Sequence, residues 1–152
     1  MRTTGRSIMR HLALLLSLTA GVTLAGCTDT SPTEPSGFSA FTQTDLTVGT
    51  GIAAQNGDDL TVHYTGWIYD ATKPDQKGLQ FESSRGRTPL TFTLGASNVI
   101  AGWDLGVPGL RVGGIRRLVI PPSLAYGEGR RGVIPPNSTL IFEIELIDAV
   151  RD

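Results

Sequence analysis

Four groups of residues in this 152-residue chain have types and spacings that chemistry could use. Gly127-Glu128-Gly129-Arg130-Arg131-Gly132 fits the glycine-rich pattern that wraps a dinucleotide pyrophosphate. That use needs a helix directly after it, because the helix N-terminus holds the phosphate. Val133-Ile134-Pro135-Pro136 follows instead, and paired prolines do not open a helix in that register. Glu143 and Glu145 stand two apart, as a carboxylate pair on one strand face would. On an outward face they read as solubility charges. Ser83-Ser84 would need a base to become nucleophilic, and no histidine is near in sequence. Histidine occurs only at 11 and 63, which gives no metal-ligand cluster to join. Asn137-Ser138-Thr139 fits a glycosylation sequon. None of these points to a cofactor or a metal.

The elements that would position a site are clearer. Val99, Ile100, Trp103, Val107 and Leu110 recur at spacings of three and four and share one face of a helix over 99–110. Pro108 and Gly109 should end or distort its last turn. Trp103 is either plain core or the floor of an apolar pocket between helix and sheet. Leu60 to Tyr69 alternates with period two and places Tyr64 on the apolar face, where its hydroxyl needs a partner. His63 falls on the other face and reads as exposed. Asp70 to Gly78 reads as a solvated loop. Leu90, Phe92 and Leu94 share one face of a second strand over 89–95. A third strand over 113–120 carries Arg116 and Arg117 on opposite faces, so one of them must snorkel or lie at an edge. Ser123 to Tyr126 could form one helical turn, and Gly127 to Pro136 is a loop. The last strand, over 139–150, turns Leu140, Phe142, Ile144 and Leu146 inward and Glu143 and Glu145 outward. Several strands with one helix predict an antiparallel sheet curled over that helix, an α+β domain.

The N-terminus reads differently. Arg2, Arg6 and Arg10 precede an apolar run from Leu12 to Leu24, the layout of a secretory signal and too short for a comfortable membrane span. Leu24-Ala25-Gly26-Cys27 resembles the lipobox of bacterial lipoproteins, in which the leader is cut before the cysteine and the cysteine is lipidated. Cys27 is the single cysteine, so no intrachain disulfide is possible. Several acyl chains on one residue anchor stably where one is marginal. Loss of residues 1–26 removes three arginines and no acid, so the formal charge falls from −1 to −4. That argues against nucleic acid as a partner. Residues 28–39 are Ser, Thr, Pro and acids with little to pack, a flexible tether. The expected division is a signal peptide over 1–26, a tether over 27–43 and one folded domain over 44–152, which begins near Phe41 to Leu46. The expected location is the bacterial cell envelope, lipid-anchored and facing the periplasm.

Taken together, six motifs are similar to those of the FKBP-type peptidyl-prolyl cis-trans isomerases, the tacrolimus- and rapamycin-binding immunophilins. They are Val62-His63-Tyr64-Thr65-Gly66, Phe81-Glu82-Ser83-Ser84, Val99-Ile100-Ala101-Gly102-Trp103, Leu124-Ala125-Tyr126-Gly127, Ile134-Pro135-Pro136 and Leu140-Ile141-Phe142-Glu143-Ile144-Glu145-Leu146. The likeness covers residues 44 to 150. It implies an antiparallel half-barrel wrapped around one short helix, with a prolyl pocket between them. Trp103 would be its floor, and Tyr64, Phe81, Val99, Ile100, Tyr126 and Phe142 its walls. The Ile100 N–H and the Tyr126 hydroxyl would donate to the ligand. Glu82 would set the polar rim, Leu90 and Phe92 would belong to the substrate site, and Val133 and Ile134 to the flap. Two positions depart from the family pattern: Glu82 stands where Asp is usual, and Leu90 where an aromatic is common.

The resemblance implies catalysed rotation about Xaa-Pro bonds, assisting the folding of exported proteins. The alternative is a proline-binding chaperone or scaffold module with weak or no turnover. The implied partners are proline-containing polypeptides and macrolides such as tacrolimus or rapamycin, with the membrane reached through Cys27. No dimerisation arm is evident, so a monomer is expected.

Overall fold

A computed structural model describes residues 39–151. The expected leader, Cys27 and most of the expected tether lie outside the described residues. Six strands and one α-helix follow: β1 (Thr42–Thr47), β2 (Asp59–Tyr69), β3 (Lys77–Ser83), β4 (Leu90–Thr93), α1 (Ala101–Gly106), β5 (Ile115–Ile120) and β6 (Leu140–Val150), with a 3-10 turn at Pro122–Leu124. The sheet is antiparallel in the order β1-β5-β6-β2-β3, with β4 also paired to β2. Its central pair is β2 and β6, matched from Asp59↔Val150 to Ile68↔Leu140. Alternation sends Leu60, Val62, Leu140, Phe142, Ile144 and Leu146 to the concave face, where all are buried. The sheet curls over α1 as expected of an α+β half-barrel.

The helix is shorter than its sequence period suggests. Val99 and Ile100 are not helical, Ile100 being the extended residue before the first turn. The helix stops at Gly106, ahead of Pro108. Six residues cannot sustain a helix in water, so the sheet must hold it. Gly102 permits this. A Cβ there would lie 2.4 Å from the Ile120 side chain, so glycine lets the helix backbone rest directly on β5.

Arg116 secures the other end of the helix. It is nearly buried, and Nη1 donates to the Gly106 carbonyl at 2.9 Å and the Pro108 carbonyl at 3.0 Å. These are carbonyls that the end of a helix leaves without intrahelical partners. Nε and Nη2 grip the Asp45 carboxylate of β1 at 2.5 and 3.1 Å. Arg116 thus neither snorkels nor sits at an edge. Arg117 faces the outer surface and donates to the Asp75 carbonyl. The 70–76 loop is solvated, as expected, but is tied there to the back of the sheet. Lys77 lies 4.3 Å over the Trp67 ring and 2.6 Å from Glu143, while Glu145 pairs with Arg85 at 2.9 Å. The two glutamates are therefore ion-pair partners and not merely solubility charges.

Two boundaries differ from expectation. Strand β1 begins at Thr42 and Phe41 packs against the core, so residues 41–43 belong to the domain and not to the tether. β3 absorbs Lys77 and Gly78 from the expected loop. At the far end, Arg151 Nε and Nη2 each reach the buried Asp58 carboxylate at 2.8 Å. Those bonds hold its carboxyl down from 3.8 to about 2.

Replacing Arg116 by Met should cost about 2 kcal/mol in chemical denaturation, since it strands two helix-end carbonyls and the Asp45 carboxylate. The value stays below that of a fully buried pair because Asp45 is partly exposed.

Candidate active site

Between the sheet, the start of α1 and the loop after the 3-10 turn lies a cavity of about 380 Å³. Its lining is Tyr64 and Phe142 from the sheet, Leu90 and Glu82 at one side, Asn98, Val99, Ile100 and Trp103 at the helix, and Tyr126 and Arg131 opposite. Each element delivers its side chain for a simple reason. Tyr64 and Phe142 are concave-face residues of the neighbouring strands β2 and β6. Val99 and Ile100 reach the cavity from just ahead of the helix, Ile100 in extended backbone. Trp103, in the first turn, is only 3% exposed.

The floor is an aromatic junction. Trp103 meets Tyr64 edge-on, with ring centres 5.1 Å apart, and Phe142 edge-on at 5.3 Å. Phe81 meets Phe142 edge-on at 5.6 Å. Edge-to-face pairs at these distances are favourable beyond their buried area. Gly66 makes the junction possible: a Cβ there would sit 2.6 Å from Phe81 and 2.8 Å from Phe142. Phe92 lies 5.7 Å from Trp103 and supports it from behind.

Not every expected residue meets in this cavity. Tyr64, Glu82, Leu90, Val99, Ile100, Trp103, Tyr126 and Phe142 do. Phe92 does not: it is buried in the core and lines a neighbouring cavity that shares Leu90, Asn98 and Val99 with the first. Phe81, Val133 and Ile134 also lie outside it, in an adjoining cavity of about 350 Å³ that shares Glu82, Tyr126 and Arg131 with the first. Ile134 is nearly buried, whereas Val133 is exposed. The sequence reasoning missed Asn98 and Arg131. Asn98 adjoins a motif and could have been found by extending it one residue. Arg131 lay inside the glycine-rich match that had been weighed only for phosphate binding.

The polar side of the cavity is charged. Burial raises the Tyr64 hydroxyl to about 12, helped by the negative charge of Glu82. The expected partner for Tyr64 is therefore this carboxylate's neighbourhood. Behind the wall, Ser84 Oγ accepts the Tyr64 N–H at 2.9 Å and lies 3.1 Å from His63 Nδ1. His63 is half-buried and engaged, not the freely exposed residue its register suggested. The Ile100 carbonyl accepts from Trp103 and Asp104, whereas its N–H is taken by no backbone acceptor among the described residues.

A half-barrel closed by one short helix, with an aromatic cavity where they meet, defines a class of small α+β domains. Comparison with known proteins narrows the class. Residues 50–147 match the family described as FKBP-type peptidyl-prolyl cis-trans isomerase. The FK506-binding protein of Neisseria meningitidis serogroup B is 50% identical over 105 residues, which span 68% of this chain and 90% of that protein. The peptidyl-prolyl cis-trans isomerase FPR2 of Saccharomyces cerevisiae is 50% identical over 99 residues, 64% of this chain and 69% of the relative. The crystal structure of FkpA from Escherichia coli superposes with a TM-score of 0.59 at 39% identity, covering 73% of this chain and 48% of that one. The chain belongs to the FKBP-type peptidyl-prolyl cis-trans isomerase family, and its activity is that of a peptidyl-prolyl cis-trans isomerase.

Replacing Glu82 by Gln should lower the Tyr64 titration from about 12 while leaving it above the free phenol value, because burial is the larger cause. Ultraviolet difference titration of the phenolate, with Tyr64→Phe to assign the signal, checks this.

Proposed function

We propose that the Trp103-floored cavity is where the Xaa-Pro bond turns. The observation that supports this most is the dry aromatic junction of Trp103, Tyr64 and Phe142. An Xaa-Pro bond rotates over a barrier of about 18–20 kcal/mol because resonance holds the amide planar. Resonance also places negative charge on the carbonyl oxygen, and water stabilises that planar, polar form. The twisted transition state has lost resonance and is less polar, so it loses less when water is withdrawn. A proline ring over Trp103 would leave water behind. Every ~1.4 kcal/mol by which the cavity favours the twisted form over the planar one gives a factor of about ten in rate. Equal binding of both would give none. The Ile100 N–H and the Tyr126 hydroxyl would hold one side of the peptide while the other turns. The reaction needs no nucleophile.

The same cavity is proposed to take FK506-type macrolides, as the names of the relatives suggest. The finer setting is also a proposal: a monomer, lipidated at Cys27, held in a bacterial envelope on the periplasmic side and acting on exported proteins as they fold. The leader and Leu24-Ala25-Gly26-Cys27 support that setting.

Prolyl exchange in a short Xaa-Pro peptide, followed by NMR with the chain from Thr28 onward, should accelerate. Trp103→Leu, checked for folding, should lose at least tenfold. A folded protein that accelerates nothing would instead support the proline-binding module. For the anchor, the intact mass of the membrane-extracted protein should show Cys27 as an acylated N-terminus, and Cys27→Ser should release the protein to the soluble fraction.

A further inference from the structure

The cavity mouth carries a charge that the isomerase reaction does not require. Arg131 lines both the prolyl cavity and the adjoining 350 Å³ cavity. Its backbone is fixed, since it donates to the Ile134 carbonyl at 3.1 Å and accepts from the Ile134 N–H at 2.9 Å. Its guanidinium stands 5.4 Å from the centre of the Tyr126 ring, which orients it over the mouth. Neighbouring cations are engaged elsewhere: Arg85 pairs with Glu145 at 2.9 Å, and Arg130 donates to the Gly132 carbonyl at 3.3 Å. Among the described residues, the ion pairs join Lys77, Arg85, Arg116 and Arg151 to acids, and Arg131 takes part in none. The opposing charge is Glu82, which lines both cavities. Neither Glu82 nor Arg131 takes part in an ion pair among the described residues. The Arg131 guanidinium is a local positive charge on a chain whose formal charge is −4 once residues 1–26 are removed.

The adjoining cavity has the right character for one substrate side chain. Phe81 and Ile134 offer apolar wall, and Arg131 stands where a side chain would end. A carboxylate on a short methylene stem satisfies both. Its two oxygens match the forked donors of a guanidinium.

We propose that Arg131 is a specificity-determining residue that makes this isomerase favour an acidic side chain on the residue adjoining the substrate proline. The proposal rests on the isomerase reading of the Trp103 cavity and adds the substrate class. The proline sits over Trp103, and the neighbouring Glu or Asp lies along Phe81 toward Arg131.

Two sets of blocked tetrapeptides test it, one with Leu, Glu, Gln or Lys before the proline and one with the same residues after it. The quantity read is kcat/KM relative to the Leu peptide of the same set, so a general loss of activity cancels. At one of the two positions Glu should exceed Gln by about two- to fivefold, the range of a single exposed ion pair, and Lys should be poorest. Raising salt from about 20 to about 500 mM should shrink the preference. Arg131→Gln should abolish it, Arg131→Lys should retain it, and Arg131→Glu should turn it toward Lys. Equal rates for Glu and Gln at both positions, or a preference that survives in Arg131→Gln, would overturn the proposal. Failure to accelerate the Leu-Pro peptide would overturn the isomerase reading itself, and this proposal with it.

Discussion

The helix that carries the cavity floor is too short to stand by itself. One and a half turns cannot repay the cost of nucleating a helix, so the position of Trp103 is set entirely from outside α1. Three contacts do this. Gly102 lets the helix backbone rest on Ile120 of β5. Asp104 accepts the Gly95 N–H at 2.9 Å, which ties the first turn to the end of the β4 segment. Arg116 caps the last carbonyls while holding β1 through Asp45. The sheet, the helix and the N-terminal strand are thereby joined through one guanidinium. The floor of the cavity is therefore held from three sides, independently of what the helix could sustain alone.

The aromatic junction depends on the same economy of space. Three rings on three different elements meet within 5.3 Å of Trp103 or one ring beyond it. They do so only because position 66 on β2 carries no side chain. A strand glycine usually weakens a sheet through lost packing. Here it trades one small side chain for contact between Phe81 and Phe142. Burial in this packing, with the Glu82 charge beside it, raises the Tyr64 hydroxyl to about 12.

Charge is distributed by face. The back of the sheet is cross-linked by Lys77–Glu143 and Arg85–Glu145, pairs that fasten β3 and the residues after it to β6. The cavity side keeps Glu82 and Arg131 at the mouth. Pairs on the back steady the strands that present Tyr64 and Phe142. Charges at the front line the cavity and take part in no ion pair among the described residues.

The sequence by itself determined a good deal. Period-two alternation placed Tyr64, Phe142 and the inward residues of β6 on the concave face, and the spacing around Trp103 found a helix there but overran it, since only Trp103 of its five residues lies within Ala101–Gly106. These features were legible because alternation and helical spacing are local: neighbouring residues report on one another within a few positions. Family motifs then drew together most of the cavity lining. What escaped was non-local. Strand β1, Thr-Gln-Thr-Asp-Leu-Thr, has no apolar rhythm and is exposed throughout; it is a strand because the edge of β5 pairs with it and Arg116 grips Asp45 from 71 residues away. The engagement of His63 by Ser84, and of Arg131 with the cavity instead of a phosphate, likewise comes from residues distant in the chain. Phe92 shared a face with Leu90 in the pattern, yet only Leu90 reaches the cavity, because the curl of the sheet turns one toward the mouth and buries the other behind Trp103. Local period could say which side of a strand looks inward. Only the tertiary structure, by closing that strand against a helix and a loop far along the chain, decided which inward residues line a cavity and which fill the core.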